Sequence, residues 1–202
     1  MIKTREDLNY YLECDSIAMS KRAKAKPWDM TYWFLHCLRH YEFWYNQSGL
    51  IKRFMCPFWH MRFKRISEKC GFTIPINRTG PGLCLPHYGT IVISGNAMIG
   101  ENCKIHAGVN IGASSGKPDA KKIGDNVYIG PGAKIIGGGY IADDVVIGAN
   151  AVVTGSIEEK GITIGGIPAK KISAKDSSAH LIRATEAYRN RMLLLKKDSS
   201  EA

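Results

Sequence analysis

Between Ile93 and Val153 an aliphatic residue recurs at every sixth position: Ile93, Ile99, Ile105 and Ile111, then after one interruption Ile123, Ile129, Ile135, Ile141, Ile147 and Val153. Four residues after each comes a small or aliphatic one: Ala97, Cys103, Val109, Val127, Ala133, Gly139, Val145 and Ala151. Glycine often follows the aliphatic position, as at Gly100, Gly112, Gly124, Gly130 and Gly148. A period of six suits neither an amphipathic helix nor an alternating strand. It is the signature of a parallel β-helix, in which each hexad forms one flat face of a prism. The aliphatic residue fills the interior, and glycine relieves crowding where the chain turns a corner.

The pattern divides the chain into three regions. Residues 1–71 lack the hexads and read as helical. Thr4 and Asp7 form a capping box with Asp in place of the usual Glu, ahead of Leu8, Tyr11 and Leu12 on one face. A second helix is expected from Asp29, as N-cap, to about Asn46, and a third from Leu50 to Lys69. Pro57 should kink the third or begin a new one, and Gly71 should stop it. Residues 72–172 hold the hexads. The interruption at 112–122 is turn-rich and basic, and reads as a loop thrown out without disturbing the register on either side. Residues 173–202 end the chain. An amphipathic helix from about Asp176 to Lys197 carries Leu181, Thr185, Tyr188, Met192 and Leu195 on one face. It is expected to cap the open end of the prism or to pack on a neighbouring subunit. The fold class is therefore mainly β, a parallel β-helix with an α-helical N-terminal region and a C-terminal helix.

Composition narrows the partners. The formal charge is +10, with basic clusters at 21–26, at Lys52 and Arg53, and at 62–69. Such an excess favours anionic partners. No recognised nucleic-acid motif is present, so nucleic acid is not expected. The start of the chain has no apolar h-region and no stretch of about 18 apolar residues occurs, so a cytoplasmic protein is expected. Six scattered cysteines without a CxxC or a Cys/His ligand spacing read as reduced thiols, not a metal site. Between Phe54 and Phe63 aromatics and methionines interleave with basic residues. Packing on the prism or on a neighbour is the expectation; peripheral contact with an anionic membrane is the alternative.

The run Leu85-Pro86-His87-Tyr88-Gly89-Thr90-Ile91-Val92-Ile93-Ser94-Gly95 resembles the catalytic histidine segment of serine acetyltransferases. The closing run Gly165-Gly166-Ile167-Pro168-Ala169-Lys170 is similar to the end of their repeat domain. About half the chain is covered. The resemblance implies a left-handed coil, a homotrimer with sites in clefts between subunits, and acetyl-CoA as co-substrate. His87 then matches the general base that takes the proton of an acceptor hydroxyl. Gly112, Ala149 and the Gly130–Pro131 corner match positions along the pantetheine arm. Lys170 and Lys171, with the loop lysines Lys117, Lys121 and Lys122, are candidates for the CoA phosphates. His106 follows an inward isoleucine, should point outward, and is the second histidine of interest. A structural role for His87 is also open, because it lies six residues before Ile93, in phase with the interior column.

The chain departs from the family at the groups that grip an amino acid. Phe72 falls where an aspartate orients the histidine, Pro86 replaces the acid before the histidine, and Ala120 replaces a second histidine. A zwitterion needs a partner for each charge. The expectation is therefore O-acetyl transfer to another hydroxyl, most plausibly on a sugar of a surface polysaccharide or its precursor. L-serine, in cysteine synthesis, is the alternative acceptor. A non-catalytic scaffold is the alternative from another class.

Overall fold

The structure is a computed structural model that describes residues 1–20, 26, 28–114 and 119–200. Three helices, α1 (Arg5–Ala18), α2 (Met30–Tyr45) and α3 (Leu50–Cys70), precede a three-sided stack of short parallel strands, and α4 (Ala184–Ser200) ends the chain. The capping box forms as expected: Thr4 Oγ1 accepts from Asp7 N, and Asp7 Oδ2 accepts from Thr4 N. Gly71 ends α3 in the left-handed conformation, at φ 75°. No new helix begins at Pro57, because α3 runs through it. Pro57 and Arg53, whose carbonyl loses its partner, are both exposed, so water can take the missing bond.

One face stacks β1 (Phe72–Thr73), β2 (Ile91–Ile93), β5 (Asn110–Gly112), β8 (Lys134–Ile136) and β11 (Val152–Val153). The second stacks β3 (Met98–Ile99), β6 (Lys122–Ile123) and β9 (Tyr140–Ile141). The third stacks β4 (Lys104–Ile105), β7 (Tyr128–Ile129), β10 (Val146–Ile147) and β12 (Thr163–Gly166), and β13 (Ala169–Ser173) folds back antiparallel on β12. The register is that of the hexads: Ile93 pairs with Ile111, Ile111 with Ile135, Ile99 with Ile123, and Ile105 with Ile129. Every isoleucine of the series is buried. The interruption leaves this register intact, as expected of a loop.

The helical region closes the first coil through a buried ionic cluster. Arg39 lies between Asp15 of α1, at 2.7 Å, and Glu42 of its own helix, at 3.0 Å. The guanidinium also donates to the carbonyls of Thr79 and Gly80, while Asp15 Oδ1 accepts from Gly82 N and Leu83 N. Glu42 accepts from Asn77 N. Burial pushes both carboxyls up, against the pull of Arg39. Each buried charge is thus partnered, and two helices are tied to the turn that starts the prism.

The C-terminal region differs from its expected form. The helix begins at Ala184 rather than near Asp176, because the preceding segment is held along one corner of the prism. That corner carries a ladder: Asn102 donates to Asn126, and Asn126 to Asp144. All three adopt positive φ. Ser177 Oγ donates to the Asn126 carbonyl, Arg183 pairs with Asp144 at 2.8 Å, and Thr185 N donates to Asn102. α4 then packs on α1, with Tyr10 against Tyr188 and Glu13 paired with Arg191. It flanks the prism instead of covering its end, and Leu193, Leu194 and Leu195 remain exposed.

Two outcomes are expected. Arg39→Met, which leaves Asp15 and Glu42 buried without their cation, should cost about 3–5 kcal/mol in urea unfolding; an unchanged midpoint would remove the cluster from its structural role. His36 and His40 stack on each other at 4.1 Å, and His40 on Trp59 at 4.3 Å. Burial holds His36 down at about 4, from an ordinary 6.5, and lowers His40 as well. The unfolded chain therefore binds more protons between those values, so stability should fall as pH drops from 6.5 toward 4. Thermal melts of His36→Phe across this range should show a flatter decline than the parent.

Candidate active site

His87 is exposed and does not occupy the interior. Cys84 bridges to Lys104, which sets Leu85, not His87, opposite Ile105. Leu85 is fully buried there. From Leu85 to the next member of the isoleucine column, Ile93, the chain uses eight positions where the later corners of this kind use six, from Ile105 to Ile111 and from Ile129 to Ile135. The two surplus residues lie within 86–90 and bow the chain outward, carrying His87 onto the corner.

Above it on the same corner stands His106, with ring centroids 6.2 Å apart. The rings continue through Tyr128, 5.2 Å from His106, to His180 of the C-terminal segment, 4.9 Å from Tyr128. Burial, then Lys104 and His87, lower the pKa of His106, so the neutral form is favoured. Its Nε2 is shielded from solvent and has no hydrogen-bond partner. His106 thus points outward as expected. Tyr128 and His180 were not legible as neighbours of His87. Tyr128 carried a signal, since the residue before each inward isoleucine faces outward; His180 carried none, because its place depends on the corner ladder.

The register settles which candidate residues share this corner. Ile129 pairs with Ile147 and Ile147 with Ile164, so Gly130, Gly148 and Gly165 follow one another up the corner above His106. Pro131 and Ala149 lie one residue further on, and Lys170 stands opposite Gly165. A Cβ on Gly130 would meet Ala149 N at 2.7 Å and Ile147 O at 2.8 Å. The glycines thus leave a strip of bare backbone from His106 to the exposed Lys170. Lys171 is bound to Glu159 at 2.5 Å. Gly112 does not join this group: it ends β5, on the far side of that strand from the His87 corner.

The sequence groups Lys117, Lys121 and Lys122 at the interruption, and the structure separates them. Lys117 lies outside the described residues, and Lys122 is exposed. Lys121 is fully buried, and its Nζ donates to the carbonyls of Ile136, Gly138 and Thr154. Burial lowers its pKa. It cannot reach a phosphate in solvent. The phase explains this: Lys121 comes four residues after the missing sixth position and so takes the inward place held elsewhere by Ala97 or Val127. Gly139, its counterpart in the next coil, has no side chain and leaves room for the ammonium.

The positions that depart from the family bring no charge to His87. Phe72 is buried edge-on against Phe34, with centroids 4.9 Å apart. Pro86 is half-buried, and Ala120 is buried.

Stacked hexads on three faces define a parallel β-helix, and the likeness to solved serine acetyltransferases makes it the left-handed kind. The family model described as bacterial transferase hexapeptide (six repeats) matches residues 120–155. A serine acetyltransferase of Helicobacter pylori (strain ATCC 700392 / 26695) is 38% identical over 102 residues, 49% of this chain and 58% of that protein. The chain spans about half the length of the curated relatives it matches. The crystal structure of serine acetyltransferase in complex with coenzyme A from Brucella abortus strain S19 superposes with a TM-score of 0.65 at 27% identity, over 84% of this chain and 69% of that one. That of Neisseria gonorrhoeae serine acetyltransferase in complex with serine gives 0.64 at 28%, over 83% and 70%. The chain is thus similar in sequence and fold to serine acetyltransferases and carries their hexapeptide repeat.

Lys121→Ala removes the buried donor to three backbone carbonyls. It should lower stability by about 1–3 kcal/mol in denaturant unfolding and leave coenzyme A affinity by calorimetry unchanged. Weakened binding without loss of stability would return Lys121 to the ligand set.

Proposed function

We propose that the chain is an acetyl-CoA-dependent O-acetyltransferase with His87 as general base. The observation that carries this reading is the outward placement of His87 on the corner, at the foot of the bare strip. The strip suits the pantetheine arm, with Gly130, Pro131 and Ala149 along it and Lys170 near its far end for a phosphate. Lys171 can join once released from Glu159, and Gly112 would contribute from another copy. A single protomer offers only one wall, and a homotrimer would supply the second.

In the reaction the imidazole of His87 takes the proton of the acceptor hydroxyl. The oxygen attacks the thioester carbonyl carbon and the C–S bond then breaks. The coenzyme A thiolate leaves and receives the proton from the imidazolium. The balance closes without a metal or a covalent enzyme intermediate. Backbone N–H groups at the corner are suited to the oxyanion.

The comparisons favour L-serine as acceptor over a sugar, since the named relatives are serine acetyltransferases and one was crystallised with serine. A sugar hydroxyl remains a second reading, favoured by the apolar packing of Phe72 and the uncharged Pro86 and Ala120. Thiol release from acetyl-CoA, measured with L-serine and with a panel of sugars and amino sugars, separates the two. His87→Ala should lower kcat by about 100- to 10,000-fold with little change in coenzyme A affinity. Turnover equal to the parent, or no release with any acceptor, would leave only a scaffold.

A further inference from the structure

The helical region carries a surface that the His87 chemistry does not use. Leu50, Ile51, Phe54, Phe58 and Met61 of α3 are exposed, Phe54 to 75% and Phe58 to 47%. The expected packing of this segment on the prism holds only for its other side, where Phe63 meets the core and Trp59 stacks on His40. Ile51, Phe54, Phe58 and Met61 recur at helical spacing and form one apolar stripe. Beside it Arg62, Arg65 and Lys69 form a second stripe of the same spacing. They line a cleft of about 640 Å³ against Trp28 and Trp33 of the α2 side, and every charged residue lining it is basic. Trp28 is 71% exposed. Arg62 joins the two stripes, its guanidinium 5.6 Å from the centre of the Phe58 ring. α3 carries six basic residues and one acidic residue, Glu68, which is absent from the cleft.

We infer that this face docks on an anionic lipid surface. Charge complementarity selects the occupant. An apolar stripe flanked by cations, with indoles at the rim, buries its rings among acyl chains while the guanidinium and ammonium groups meet phosphates. The cleft receives a lipid phosphate between Arg62, Arg65 and Lys69. Among the described residues no helix is long and apolar enough to cross a membrane, so the contact is peripheral. It is independent of which acceptor the enzyme uses.

The test is co-sedimentation of the full chain with phosphatidylcholine vesicles, with and without about 30% phosphatidylglycerol. Binding is expected only with the anionic lipid, falling steeply with salt. Phe54→Ser with Phe58→Ser, and separately Arg62→Gln with Arg65→Gln and Lys69→Gln, should each weaken it by at least about tenfold. Melting temperature and His87-dependent thiol release should stay at parent values. Failure to bind anionic vesicles, or equal binding to neutral ones, overturns the inference. So does a drop in oligomer mass for Phe54→Ser with Phe58→Ser in sedimentation velocity, which would assign the stripe to contact between copies.

Discussion

The interior of a three-sided prism admits one aliphatic side chain per face and a small residue at each corner, and that width governs everything else in the molecule. A residue too many in one hexad cannot be absorbed inside, because the next isoleucine must still fall opposite its partner one coil away. The surplus therefore leaves the prism at a corner. Twice the chain uses this outlet. At 86–90 it presents His87, and a second surplus falls between Ile111 and Ile123, which stay in register with Ile135 and Ile99. His87 thus sits where the repeat is violated, between rigid coils on either side.

A prism also has ends, and the first coil is closed by apolar side chains of α1 and α2 together with a buried ionic cluster. Arg39, fully buried, reaches three different strands of the chain's path: α1 through Asp15, its own helix through Glu42, and the turn at Thr79 and Gly80. Apolar packing alone would let the helices slide over the coil. Directional bonds to backbone atoms of the turn set one arrangement, so the helical region is oriented with respect to His87 by the same contacts that seal the core.

Much of this was written in the period of six. The face on which each isoleucine lies, the register across the interruption, the helix start at Thr4 and the stop at Gly71 all follow from local chemistry. His87 shows the limit of that reading. Its phase pointed inward, and only the pairing of Cys84 with Lys104 shows the two-residue surplus that turns it out. Lys121 shows the converse: its phase points inward although its charge suits solvent, and three backbone carbonyls receive the ammonium there. The C-terminal helix began late because capping by the Asn102–Asn126–Asp144 ladder is a contact between distant segments, which no local pattern encodes.

That ladder has a mechanical consequence. Stacked coils interact mainly with nearest neighbours, and such arrays tend to fray one repeat at a time from either end. Here residues 177–185 are stapled at once to three successive coils, through Asn102, Asn126 and Asp144, and α4 carries the tie back to α1 at the start of the chain. The two termini thereby become partners, and peeling of one coil must disturb the whole circuit. The seam converts a one-dimensional stack into a closed loop of dependencies that melts as a unit.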